Sequence, residues 1–288
     1  MQTYYNGAHN ITFVTSDGET SISTWNTDDA SNSLFLVPRI KPMVNPPSVK
    51  TNTIEIPGAN GDIDMTDIPL GYPVYGKRTG SWEFIHAEDI SNRSWDEEYA
   101  RIMAALHGKR LMAILGDDPT HFYIGRFSVN AFKGEDNWDT VTINYDLDSF
   151  KYNIWTTVED WFWDPFDFWY GTIETREMFV DIPLNYGNQT IITYTQALIG
   201  NAPVTPTFTI NTPGYDPENP DETGGVTLAI HNLGTPTAVK TFELPEGTST
   251  NPLIEMIAPN QNDEVRLVFY NTKNSGATAS VAIRPGRL

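Results

Sequence analysis

The chain has 288 residues, no cysteine and a formal net charge of −19. That length suffices for one or two domains with a buried core, and the lack of cysteine excludes disulfides, thiolate metal sites and nucleophilic cysteine chemistry. The acidity is spread along the chain, with 11 Lys and Arg against 21 Asp and Glu in residues 1–150 and 7 against 16 in residues 151–288, so neither tight nucleic-acid binding nor membrane binding is expected.

The first residues, Met1-Gln2-Thr3-Tyr4-Tyr5-Asn6, hold no basic run leading into an apolar core. No secretory signal is expected, and synthesis in a cytoplasm follows from that reading. No apolar run approaches the roughly 20 residues that cross a bilayer. The 21 Gly and 20 Pro are scattered, and with abundant Thr, Val, Ile and aromatics they predict many short strands joined by turns. Asp62, Asp64 and Asp67 invite a calcium-loop reading, since hard cations take spaced carboxylates. The spacing fails: Thr66 and Asp67 stand where an acid and a glycine are required, and no bidentate Glu closes the loop. A solvated turn is the expectation there, with no metal site.

One segment reads as a helix. Ser94-Trp95-Asp96-Glu97 matches a capping box, Trp95, Tyr99, Ile102, Met103 and Leu106 recur at helical spacing, and Gly108 suits the residue after a helix end. The spacing predicts a helix over 95–107. In residues 140–147, Val141, Ile143, Tyr145 and Leu147 alternate with polar residues, the period of a half-buried strand. Residues 121–132 supply its partner, and Gly134-Glu135-Asp136-Asn137 the turn of a hairpin.

The composition shifts near residue 150. Residues 155–170 hold Trp155, Trp161, Phe162, Trp163, Phe166, Phe168, Trp169 and Tyr170. Trp161, Trp163, Trp169 and Tyr170 are candidates either for stacking on sugar rings or for gluing two domains together. Beyond them, apolar runs at 176–182, 189–195, 203–211, 225–231, 237–243, 253–258, 263–270 and 277–284 are separated by turn signals, a pattern that suggests a β-sandwich. The boundary is placed at 152/153.

Local signals for catalysis are weak. His9, His86, His107, His121 and His231 form no close metal-ligand pair, and each is expected to be structural or on the surface. There is no Gly-x-Ser-x-Gly elbow and no phosphate-binding glycine loop. Asp160, Asp164 and Asp167 lie among aromatics, as in a glycosidase cleft, but such an enzyme needs two carboxylates at a set separation, which a sequence does not give. No catalytic residue and no cofactor is expected.

The motifs in order carry a resemblance. Ile54-Glu55-Ile56-Pro57-Gly58 onward to Gly80-Ser81-Trp82-Glu83-Phe84, preceded by Lys77-Arg78, resembles the distal tail proteins of siphophages. So do Leu106-His107-Gly108-Lys109-Arg110, Asp117-Asp118-Pro119 with Tyr123-Ile124-Gly125-Arg126, and Asp146-Leu147-Asp148-Ser149-Phe150-Lys151-Tyr152, with Ser149 where the family has proline. Trp161-Phe162-Trp163-Asp164-Pro165-Phe166 and Gly200-Asn201-Ala202-Pro203 are similar to later family segments.

The resemblance implies a mainly-β chain. Residues 1–152 would be a tail-tube-like β-sandwich or split barrel with one helix. Residues 153–288 would be an outward-projecting sandwich like galectins or carbohydrate modules, whose last strand could pack back on the first domain. It implies a structural, non-enzymatic protein of the virion tail tip or baseplate, assembled in the host cytoplasm. Its copies would form a ring, expected to be a hexamer, that lets DNA through. The partners implied are the tail tube protein, the tail-tip hub protein, and receptor-binding or baseplate proteins. A carbohydrate-binding module contacting host cell-wall sugars, and a tail-associated glycan hydrolase, are the readings from other classes.

Overall fold

The structure is a computed structural model that describes residues 9–15, 18–58, 60–68, 70–87, 94–131, 133–135, 138–156, 179–212, 226–233, 240–271 and 276–288. It is mainly β. The chain divides into two compact units, Met1–Thr51 with Val74–Lys151, and Asn52–Pro73 with Tyr152–Leu288. Among the described residues no helix is long and apolar enough to cross a membrane.

The first unit is one curled sheet with a helix. Its strands are β1 (Ile11–Val14), β2 (Ser21–Ser23), β3 (Leu36–Pro38), β6 (Arg78–His86), β7 (Arg110–Leu115), β8 (Asp118–Val129), β9 (Lys133–Glu135) and β10 (Trp138–Asn153). The order is β2-β1-β7-β8-β10-β6-β3, with β9 also on β10. The sheet rolls until its ends meet. Just past β2, the carbonyls of Ser23 and Thr24 accept from Leu34 and Leu36 at 2.9 and 2.7 Å, while Leu36 pairs with His86 of β6 at the opposite edge. This is how a small sheet removes its exposed edges.

The predicted hairpin is present. Residues 133–135 pair with 138–140, and β8 and β10 are neighbours. The predicted alternation is seen in the burial: Val141, Ile143, Tyr145 and Leu147 are each at most 3% exposed. Their centre is aromatic. Trp82 and Tyr145 lie 4.5 Å apart, and the Phe127 ring meets Phe13 edge-on at 5.0 Å.

Helix α1 (Trp95–Leu106) forms where the sequence predicts it, one residue shorter. Both halves of the capping box are made, Glu97 N–H to Ser94 Oγ and Ser94 N–H back to Glu97 Oε2. Trp95, Ile102 and Leu106 are buried on the sheet. Gly108, at φ +73, supplies the left-handed turn that ends the helix.

The second unit is a sandwich around one core. One sheet is β11 (Ile182–Pro183), β18 (Thr278–Ala282), β13 (Thr207–Asn211) and β16 (Gly247–Thr250), in that order. The other is β12 (Gln189–Thr195), β17 (Glu264–Tyr270), β14 (Val226–Leu233) and β15 (Lys240–Leu244). Phe208 of the first sheet meets Phe269 of the second edge-on at 6.2 Å. Not every predicted run is a strand: of 176–182 only Ile182 is in one among the described residues. Residues 253–258 are apolar because Ile254, Met256 and Ala258 are fully buried, but the segment makes only an isolated bridge, Met256 to Val204. Conversely β16 has no apolar residue for a sequence pattern to find. It is held by Thr207–Thr250 and Thr209–Thr248 hydroxyl pairs, each 2.9 Å.

Two further elements complete this unit. The last strand is β19 (Gly286–Arg287), and just before it the Pro285 carbonyl accepts from the Asn153 N–H at 2.8 Å. A separate two-stranded ribbon pairs β4 (Thr53–Glu55) with β5 (Asp62–Asp64) across a turn that holds Pro57 and Gly58.

Candidate functional site

The motif residues of the first unit act as fasteners. Arg78 is buried, 6% exposed. It donates to the Asn45 and Ser149 carbonyls at 3.0 and 2.8 Å, and its guanidinium lies 5.6 Å from the Tyr123 ring centre. Burial draws its pKa below the ordinary arginine value, with Tyr123 and Tyr145 opposing that shift. Trp82 Nε1 donates to the Met43 carbonyl, and the Asn45 amide donates to Tyr145 Oη. Residues 43–45 are thus pinned from two strands, β6 and β10. Ser149 donates its hydroxyl to the Gly76 carbonyl at 2.7 Å, a bond proline cannot make. Gly125 is required by packing: a Cβ there would fall 2.4 Å from the Asp146 carbonyl oxygen.

Asp117 and Asp118, in the β7–β8 turn, are two adjacent anchors. Asp117 meets His9 at 2.7 Å and Lys41 at 3.2 Å. Asp118 meets His121 at 2.8 Å and Lys151 at 2.5 Å. The His121 hydrogen bond, helped by Lys151 and opposed by burial, holds the Asp118 carboxyl far below the usual carboxylate range. Partial burial works against the same shift in Asp117, but the His9 and Lys41 hydrogen bonds outweigh it. These residues tie the chain's start, a loop and a strand end to one turn.

The other histidines are also in structural settings. His86 is buried, with its ring 5.0 Å from Trp95. His107 caps α1 and its Nδ1 accepts from Val129 N–H. His231 stands opposite Arg266 on β14 and β17. Among the described residues no three His, Asp or Glu side chains gather as a metal site. Asp62 and Asp64 lie on the exposed strand β5, where Asp64 accepts from Thr66 N–H at 2.9 Å.

The surface carries two charge features that the sequence does not reveal. Arg110 and Arg126 are directly opposite each other on β7 and β8, with Lys109 next in the chain. Asp148 pairs with Arg110 at 2.5 Å. Among the described residues no carboxylate pairs with Arg126 or Lys109; Arg126 donates to the Gly108 carbonyl. Beside Lys109 a cleft of about 220 Å³ is lined by Phe13, Ile22, Ala105 and Leu111. On the ribbon, Glu55 stands opposite Asp62 and Ile54 opposite Ile63. One face is therefore carboxylate and the other isoleucine, with Ile54 and Ile63 each 48% exposed. Register alone creates both like-charged pairs, which is why residue patterns do not find them.

Trp161, Trp163, Trp169 and Tyr170, together with Asp160, Asp164 and Asp167, lie outside the described residues. Of that aromatic segment, Trp155 is half-buried and its N–H donates to Asn153 Oδ1.

No family model matches the sequence, and no curated protein matches it. The fold does have a solved counterpart. It is similar to the crystal structure of the SPP1 Dit protein, described as a paradigm of the hub adsorption apparatus in phages that infect Gram-positive bacteria. The TM-score is 0.52 at 12% identity, over 96% of this chain and 99% of that one. The likeness covers both units, so the chain shares the fold of a phage tail hub protein.

Proposed function

We propose that this chain is a structural subunit of the tail tip of a long-tailed phage. In this reading its copies close into a ring, expected to be a hexamer, that joins the tail tube protein on one side to the tip hub protein on the other. Receptor-binding or baseplate proteins attach outside. The division of labour follows the boundary at 152/153, with the earlier part forming the ring and the later sandwich projecting from it. The carrying observation is the likeness to the SPP1 hub protein over nearly the whole length of both chains.

Charge supports the same reading. DNA must pass through such a ring without adhering, and a surface of net charge −19 repels phosphates where a basic one would hold them. The fasteners described above also suit a scaffold, because they spend the chain's histidines and acids on holding loops to strands.

Negative-stain imaging of the purified chain, alone and mixed with the tail tube protein, tests the proposal. Hollow rings of one symmetry that cap tube ends are expected. Single globules that leave tube ends bare would refute it.

A further inference from the structure

We propose that the β4–β5 ribbon of one copy docks on a second copy, with Glu55 and Asp62 of the first meeting Arg110 and Arg126 of the second. The inference rests on the ring reading and names the contact between neighbours.

It starts from two local conflicts. Like charges directly opposite on paired strands destabilise the pair. This chain has two such arrangements of opposite sign, Glu55 against Asp62 and Arg110 against Arg126. Among the described residues no cation pairs with Glu55 or Asp62, and the arginine pair is answered only in part. Residues 52–73 carry four acids and no Lys, Arg or His. Asp148 answers Arg110 alone, which leaves Arg126 and Lys109 without a carboxylate among the described residues. A partner that brings two carboxylates to the arginines removes both conflicts together.

The geometry agrees. In each pair the side chains leave directly opposed positions on antiparallel strands, so the two carboxylates and the two guanidiniums have similar spacing. Guanidinium forks donate to carboxylates in bidentate fashion. The ribbon also has an apolar back, where Ile54, Ile56 and Ile63 are 41–48% exposed. Two copies of charge −19 repel overall, so a cationic patch meeting an anionic ribbon would select one orientation of approach.

Sedimentation of the full chain tests this with two double variants, Glu55→Arg/Asp62→Arg and Arg110→Glu/Arg126→Glu. Circular dichroism first establishes that each keeps the wild-type fold. Each variant alone is expected to self-associate at least tenfold more weakly than wild type. An equal mixture should recover the wild-type assembly, because each ribbon then faces a surface of opposite charge and an even ring can alternate the two. A wild-type chain that stays monomeric would overturn the ring reading and this contact with it. Wild-type rings with undiminished assembly of the ribbon variant would overturn the contact alone. So would an arginine variant that still assembles but loses affinity for duplex DNA, since the pair would then serve phosphate.

Discussion

The two units are held together by different chemistry. Among the described residues, eight of the nine ion pairs lie in the first unit, and the second has only the exposed pair Arg266–Glu264. The first unit adds a buried arginine and an aromatic centre, whereas the second is a largely aliphatic sandwich. In the first unit donors and carboxylates fix the loops to the strands. A sandwich of two broad faces orders itself by burial. The first unit should therefore be the more sensitive to charge, and the second to volume.

The sharpest way to break this comparison is to remove one core ring from each unit. Phe208→Ala should cost about 3–5 kcal/mol and lower only the thermal transition that belongs to the second unit. Trp82→Ala should cost about as much in the first, and should also free residues 43–45 by removing the donor to Met43. Calorimetry that shows one merged transition shifting equally for both variants would contradict a separable pair of units.

Acid should separate the units next. The Asp117 and Asp118 carboxyls are depressed in the folded state. The stability they supply is present above the ordinary carboxylate pKa of about 4 and is lost as pH falls below it. The first unit should therefore melt before the second on acidification. Asp118→Asn should cost about 1.5–3 kcal/mol at neutral pH and flatten that acid dependence. Equal acid midpoints for wild type and variant, followed by fluorescence, would remove Asp118 from this role.

The smaller effects sharpen the contrast. Tyr194 lies in the aliphatic core of the second unit, and its hydroxyl has no hydrogen-bond partner among the described residues. Burial pushes its phenol far above the usual tyrosine range. Tyr194→Phe should stabilise the protein by about 1 kcal/mol. It should also remove the loss of stability that sets in above about pH 10, where the phenol of the unfolded chain ionises and the buried one does not, so the variant should tolerate alkali better in denaturant titrations. In the first unit Gly108→Ala should cost about 1 kcal/mol, because the left-handed backbone resists a Cβ even though space is open there.

What was legible in the sequence was local. Helix α1 could be read because its cap, stripe and terminal glycine all lie within 15 residues. Strand β10 could be read because one face is buried and the other is not, so alternation survives. The family motifs could be read in order, although their purpose could not. The reach of Asp117 to His9 spans 108 residues, and Gly125 matters because of a strand that follows it by 20. Segment 253–258 misled because burial without a ladder looks like a strand, and β16 was missed because its threonines are paired rather than buried. The charged pairs on the ribbon and on β7–β8 were hidden for a related reason. A one-residue change of register would have dissolved either pair, and no composition records that choice.

The most direct test is the mass of the full-length chain in solution, measured by light scattering across a concentration series at low and high salt. The account predicts a discrete closed assembly, expected at six times the monomer mass, that weakens as salt screens the proposed contact. A protein that remains at the monomer mass under every condition would contradict it.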